Sequence, residues 1–408
     1  MRQVYTLIAV LILLVAMAAV LFQVGLWRAQ VAIEARQHQR AMNWLSGVSW
    51  IWPRNAEWYY LSARSSRRLK NFDRVEKHLK VAFEQGWPRE QLEYEQILAL
   101  AQTGQYEKVG SRWPQLFQNA GSDGPEISHA YINASLARFR LDIAATALAS
   151  WKADFPNDPD PYFMEGKITM VLQRWEDAEL LLKQALEIDP RHTLAREQLA
   201  EAYIKQLKYQ QAIAELQTLM NDHPKPITKS RLVHCLVQQG ETEAAQKLLE
   251  AALINTPEDK NLQSEMGRLL SKLGQHAEAI PYLQSVVDLH PEETETRYAL
   301  AQALRANGQE QEAAAHFNFV DEATKALLTL SRLTTKVVES PSDVETRFRV
   351  AEITWKWKSR SDGESWLRSV LEFDPNHQPT HQLLAKHYQL TGDVKRAEYH
   401  KSMAERVQ

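Results

Sequence analysis

The 408-residue sequence predicts an all-α protein: a right-handed α-α superhelix of stacked helix pairs, led by an N-terminal transmembrane helix. Three observations predict it. Pro156, Pro190 and Pro224 stand 34 residues apart, Pro257 and Pro291 follow after 33 and 34, and Pro341 and Pro375 keep the interval. Between the prolines, small and large apolar residues recur at fixed offsets. Ahead of them, residues 4–27 carry no charge. A self-similar period of this length implies units that cannot bury their apolar faces alone and must stack. No stretch shows the period-two alternation of a strand.

The first element is 4–27, VYTLIAVLILLVAMAAVLFQVGLW. As a helix it reaches about 36 Å, enough for a hydrocarbon core of about 30 Å. Arg2 and Arg28 bracket it, and Trp27 suits an interface. A cleaved signal peptide is the competing reading, because Ala16-Met17-Ala18 resembles a small-residue cleavage site. The apolar run nevertheless continues through Val20, Leu21, Phe22 and Val24, longer than a cleaved apolar region usually is. The side of the membrane stays open. Arg28, Arg36 and Arg40 favour a cytoplasmic array, whereas long C-terminal domains translocate largely regardless of charge.

Residues 28–55 read as a basic, Trp-rich helical linker or half-repeat, with Ala41, Leu45, Val48 and Pro53 at helix B positions. The stretch 28–80 holds eleven Lys or Arg and four acids, a net of +7; given −3 for the chain and +1 at Arg2, 81–408 carries −11. Two readings of the basic stretch stand level: contact with anionic lipid headgroups, or a solvated helical face. Trp44, Trp50, Trp52, Trp58, Tyr59 and Tyr60 are expected mainly to seal the first units, with a pocket lining or a bilayer contact as alternatives.

Residues 56–158 form divergent units, with Ala63, Val75, Leu79 and Ala82, then Gly104, Val109 and Trp113, then Ala144, Leu148 and Pro156. Regular units fill 159–320. In 159–192, Tyr162, Gly166, Ala178, Leu182, Ala185 and Pro190 occupy repeat positions 4, 8, 20, 24, 27 and 32, and the register recurs down to Leu300, Ala301, Gly308, Ala313 and Phe317. Gly or Ala at positions 8 and 20 lets the two helices of a unit approach closely. Proline cannot continue a helix, so it ends helix B. Gly240, Gly274, Gly308 and Gly392 suit turns that need a positive φ. From Pro291 to Pro341 the interval swells to 50, a surplus of 16, and 321–340 reads as an extra or extended helix. It either packs on the array or docks a partner. Residues 341–408 supply the last units and a capping helix whose face is polar through Arg396, Glu398, Lys401 and Glu405.

These residues resemble tetratricopeptide repeats (TPRs). The ending DPNHQPTHQLLAKHYQLTGDVKRAEYH, 374–400, resembles the closing repeat of bacterial membrane-anchored TPR proteins, which implies a single-pass protein of the bacterial inner membrane. Lipopolysaccharide-assembly TPR proteins end in a four-cysteine metal module; this chain has one cysteine, Cys235. Chaperone-tail receptors repeat a Lys/Asn clamp. Position 9 here holds Lys167, Glu201, His234, Arg268 and Gln302, which is no such set.

The sequence carries no phosphate loop, HExxH, GxSxG or kinase signature, so no catalytic residue, cofactor or metal site is expected, and no enzyme. His377, His381, His387 and His400 are the nearest approach to a metal motif, but His381 and His387 lie six apart on one helix, on different faces. The acidic array, without a nucleic-acid motif, points away from nucleic acid. TPR arrays usually bind peptides on their A helices. The resemblance therefore implies protein or peptide partners, and positions 5 and 9 nominate Phe163, Lys167, Glu197, Glu201, Ser230, His234, Ser264, Arg268, Tyr298 and Gln302, with Arg305. The expected function is a membrane-tethered scaffold or adaptor, with an accessory subunit of a membrane-associated enzyme, envelope-assembly or secretion complex as the alternative.

Overall fold

A computed structural model describes residues 2–52, 55–222 and 224–405, so Pro53 lies outside the described residues. They form helices and short turns, with no strand among them, in two compact units, 1–134 and 135–408.

Unit 1 holds α1 (Arg2–Glu34), α2 (His38–Val48), α3 (Ala56–Arg68), α4 (Phe72–Glu84), α5 (Arg89–Gln102), α6 (Tyr106–Val109) and α7 (Trp113–Gln118). The next helix, α8 (Gly124–Ala137), runs across the division. The expected boundary at 27 falls inside α1, which continues unbroken to Glu34. Phe22, Leu26, Ala29, Ala32 and Ile33 are buried with Ala41, Leu45 and Val48. The second half of α1 is thus helix A of a complete first repeat, with α2 as helix B. A backbone marker confirms the register. Turns between paired helices hold a positive φ at Arg36, Lys70, Gly104, Phe139, Gln173, Leu207, Gly240, Gly274 and Gly308. This left-handed clock starts at Arg36, ahead of any proline. Where the residue is not glycine, the conformation costs about 1–2 kcal/mol, so packing of the flanking helices enforces it.

Three residues of the basic stretch leave the surface. Arg67 and Arg68 are buried and Arg64 nearly so. Arg67 pairs with Glu95 at 2.7 Å and Asp123 at 2.5 Å; Arg64 reaches the same two acids at 3.0 and 3.1 Å. Arg68 bonds Asp123 at 3.0 Å and donates to the Ile33 carbonyl. This cluster ties α1, α3 and α5 to the turn before α8. Burial alone would push the Asp123 carboxyl up, but Arg67, Arg68 and Arg64 outweigh it and hold the group below the usual carboxylate range. Burial and the neighbouring Arg68, Arg36 and Arg67 depress His38 to about 4, which keeps it neutral.

The aromatic expectation divides. Tyr60 is buried and stacks on Trp87, and Trp58 donates to the Leu45 carbonyl at 2.8 Å. Trp44, Trp50 and Trp52 instead stay exposed, so they do not seal the first units.

Unit 2 continues as helix pairs: α9 (Leu141–Asp154) closes the pair begun by α8, then α10 (Asp160–Val171) with α11 (Trp175–Ile188), α12 (Thr193–Lys205) with α13 (Tyr209–Asp222), and α14 (Pro226–Gln239) with α15 (Thr242–Asn255). There follow α16 (Lys260–Lys272) with α17 (His276–Leu289), α18 (Thr294–Ala306) with α19 (Glu310–Glu339), α20 (Val344–Trp357) with α21 (Arg360–Leu371), and α22 (Gln378–Thr391) with α23 (Val394–Ala404). Small residues sit where the pairs touch. A Cβ on Gly267 would lie 2.5 Å from Leu283, and Ala178, Ala212, Ala245 and Ala279 are fully buried. The sixteen-residue surplus lies within α19, a single helix of 30 residues. Its first part pairs with α18, and Leu330, Leu333 and Val337 pack with Phe348, Val350 and Leu367 near α20 and α21. The extended form is therefore the one adopted.

One feature breaks the nearest-neighbour rule of repeat arrays. Phe139 stacks on Trp366 at 3.5 Å, Arg347 donates to the Phe139 carbonyl at 3.2 Å across 208 residues, and Arg138 pairs with Glu372 at 3.3 Å. The start of unit 2 thereby meets its α20–α21 pair.

Candidate functional site

The A helices of unit 2 carry a ladder of polar side-chain contacts between adjacent repeats. Glu201 on α12 pairs with Arg231 on α14 at 3.0 Å; His234 on α14 lies 3.6 Å from Glu265 on α16; Arg268 on α16 reaches Glu295 on α18 at 3.2 Å. The spacing follows from the repeat, which returns position 9 of one A helix beside the next.

Beyond the ladder lies an open cleft of about 700 Å³, lined by Arg268, Tyr298, Gln302, Val237, Lys272, Glu295, Val320 and Thr324 among others. This is within the ~300–1,000 Å³ of ordinary ligand sites. Lys272 donates to the Val237 carbonyl and so closes the end of α14. Tyr298 is 45% exposed and meets Phe317 edge to face at 5.8 Å. The lining offers an aromatic face, both signs of charge and short apolar strips from α14, α18 and α19. Such a mixture suits a peptide segment better than a small ion or a uniformly charged polymer.

The nominated residues separate by environment. Arg268, Tyr298 and Gln302 line the cleft, and Arg305 is exposed on the same helix over Phe317. Glu197 pairs with Lys225 at 2.5 Å, and Glu201 and His234 belong to the ladder. Lys167 is exposed. Phe163, Ser230 and Ser264 are buried: Phe163 lies against His192, and Ser264 bonds Thr296 at 2.9 Å. Those three face the packing rather than an open groove, whereas Tyr298, at the same repeat position, lines the cleft. Sequence reasoning missed Val320 and Thr324, which lie where an ordinary helix B would be ending and depend on the path of α19. It also missed the contact of His381 with His400, 2.8 Å apart. His381 Nε2 faces the Pro375 carbonyl and donates to it, while its Nδ1 faces His400 Nδ1. Among the described residues no three His, Cys, Asp or Glu side chains gather as a metal site.

Family models described as tetratricopeptide repeat match residues 172–230 and 264–325. These two segments are tetratricopeptide repeats. The first matched segment lies in the regular units; the second begins in them, runs on to residue 325 and contains Arg268, Tyr298 and Gln302. Solved structures similar to it include MamA, residue 41 to its end, from Desulfovibrio magneticus RS-1. That likeness has 22% identity and a TM-score of 0.33, over 40% of this chain and 93% of the other. A thermophilic TPR protein from Thermus thermophilus, TTC0263, is similar at 22% identity and a TM-score of 0.37, over 48% of this chain and 98% of its own. No curated protein matches the chain.

Proposed function

We propose that this protein is a membrane-tethered scaffold that holds a segment of a partner protein in the α14–α16–α18–α19 cleft. The observation that carries the reading is the cleft itself: open, about 700 Å³, with the exposed Tyr298 in a mixed lining. Aromatic side chains of this kind commonly dominate protein interfaces. In this reading the chain performs no catalysis. Gln3–Glu34 is long and apolar enough to cross a membrane, and its large apolar side chains from Val4 to Leu21 are exposed. Tethering raises the local concentration of the array near membrane-bound partners, which strengthens weak binding without new contacts.

The test is capture of the partner from membranes by full-length protein carrying Tyr298→Ala and Gln302→Glu. Both residues are exposed, so the melting temperature should hold. Affinity should fall by about 2 kcal/mol, a factor of roughly 30. Capture at wild-type strength would place binding elsewhere.

A further inference from the structure

The first repeat and the apolar helix share residues, and that fixes a height. In register, the repeat begins at Phe22: Ala29 and Ala41 fill its two small-residue positions and Arg36 its left-handed turn. What precedes it, residues 4–21, spans about 27 Å as a helix, close to the ~30 Å of a hydrocarbon core. Helix α2 runs back along α1. A Cβ on Gly25 would lie 2.4 Å from Val48, and the Trp52 ring lies 6.1 Å from Phe22. The segment after α2 therefore returns to the level where the bare apolar stretch ends.

Tryptophans gather at that level. Trp50 is 75% exposed, Trp27 57%, Trp52 52% and Trp44 37%. Trp50 is held by a bond from its indole nitrogen to the Gly47 carbonyl at 3.0 Å, and Arg28 lies over both Trp27 and Trp44 at 5.2 and 5.8 Å. Indole rings with a polar handle beside a cation match the headgroup zone of a bilayer, where one end is apolar and the other wet. In water the same exposure would be unfavourable.

We propose that Trp27, Trp44, Trp50 and Trp52 form a collar that inserts among the phospholipid headgroups of the bilayer that α1 crosses. The inference rests on the tethering reading above. It adds that unit 1 sits on the membrane through one continuous helix, with no flexible linker between them.

The test uses full-length Trp50→Cys carrying an environment-sensitive fluorophore, in vesicles of phosphatidylcholine and phosphatidylglycerol; Cys235 is buried and stays unlabelled. Leu180→Cys, at an exposed site on α11, is the control. At position 50 the emission should shift to the blue, a headgroup-level nitroxide lipid should quench it, and aqueous iodide should not, while the control behaves in the opposite way. Alkaline carbonate extraction of the same vesicles separates the two claims. Protein that resists extraction but is quenched by iodide at 50 overturns the collar and leaves the tether. Protein released by carbonate overturns both. Shielding from iodide without quenching by the lipid means that a protein surface covers the site, and the collar is wrong.

Discussion

Arg67→Ala should destabilise unit 1 by about 3–5 kcal/mol, the usual cost of removing one partner from a buried ion pair. The side chain is fully buried and its guanidinium serves two acids at once. Its removal leaves Glu95 and Asp123 in a site shaped for a third positive fork, with Arg64 and Arg68 too far committed to replace it. Domains are often stable by only about 5–15 kcal/mol, so the loss is a large share. Denaturant midpoints and hydrogen exchange of the α3 and α5 amides would measure it. Arg67→Lys should rescue little, because an ammonium cannot make the two-pronged contact. A cost below about 1 kcal/mol would mean that water enters the cluster. Acid should act on the same element. Asp123 is held below its unfolded value, so its contribution is present above that value and fades as pH falls through the folded one.

Gly363→Val should cost about 3 kcal/mol, at the upper end of overpacking penalties. Gly363 stands at position 20 of its repeat, where the other regular units carry alanine. A Cβ there would lie 2.7 Å from the Trp355 Cα and 2.9 Å from its nitrogen. Backbone cannot rotate away, so α20 and α21 must separate, and with them the surface that meets Phe139. Gly166→Ala is the contrast: its nearest atoms are the Leu182 Cγ at 2.9 Å and Cδ2 at 3.0 Å, a side chain that can give. That variant should stay within about 1 kcal/mol of wild type, helped by the better helix propensity of alanine. Thermal melts of the two variants decide the matter; equal shifts would contradict the distinction between backbone and side-chain neighbours.

Much of this architecture was legible because the repeat ties chemistry to position. Prolines end helix B, small residues mark where helices touch, and Ala178, Ala212, Ala245 and Ala279 lie buried where the register puts them. The first helix A was hidden for a physical reason: Phe22 and Leu26 satisfy a membrane-like run and a repeat core equally well. Arg64, Arg67 and Arg68 read as surface charge because their acids, Glu95 and Asp123, lie in the following unit, 28 and 56 residues beyond Arg67. The meeting of Phe139 with Trp366 depends on how small rotations accumulate over many pairs, which no local pattern encodes. At the cleft, Arg268, Tyr298 and Gln302 followed from repeat position, whereas Val320 and Thr324 required the course of α19.

The central claim is that a partner protein occupies the cleft of unit 2. The most direct measurement is site-specific photo-crosslinking of the full-length protein in native membranes, from position 298 and, as control, from Lys247, which is exposed on α15. The account predicts a discrete adduct with a second protein from 298 and none from 247. An adduct from 247 alone, or no protein adduct from 298, would contradict it.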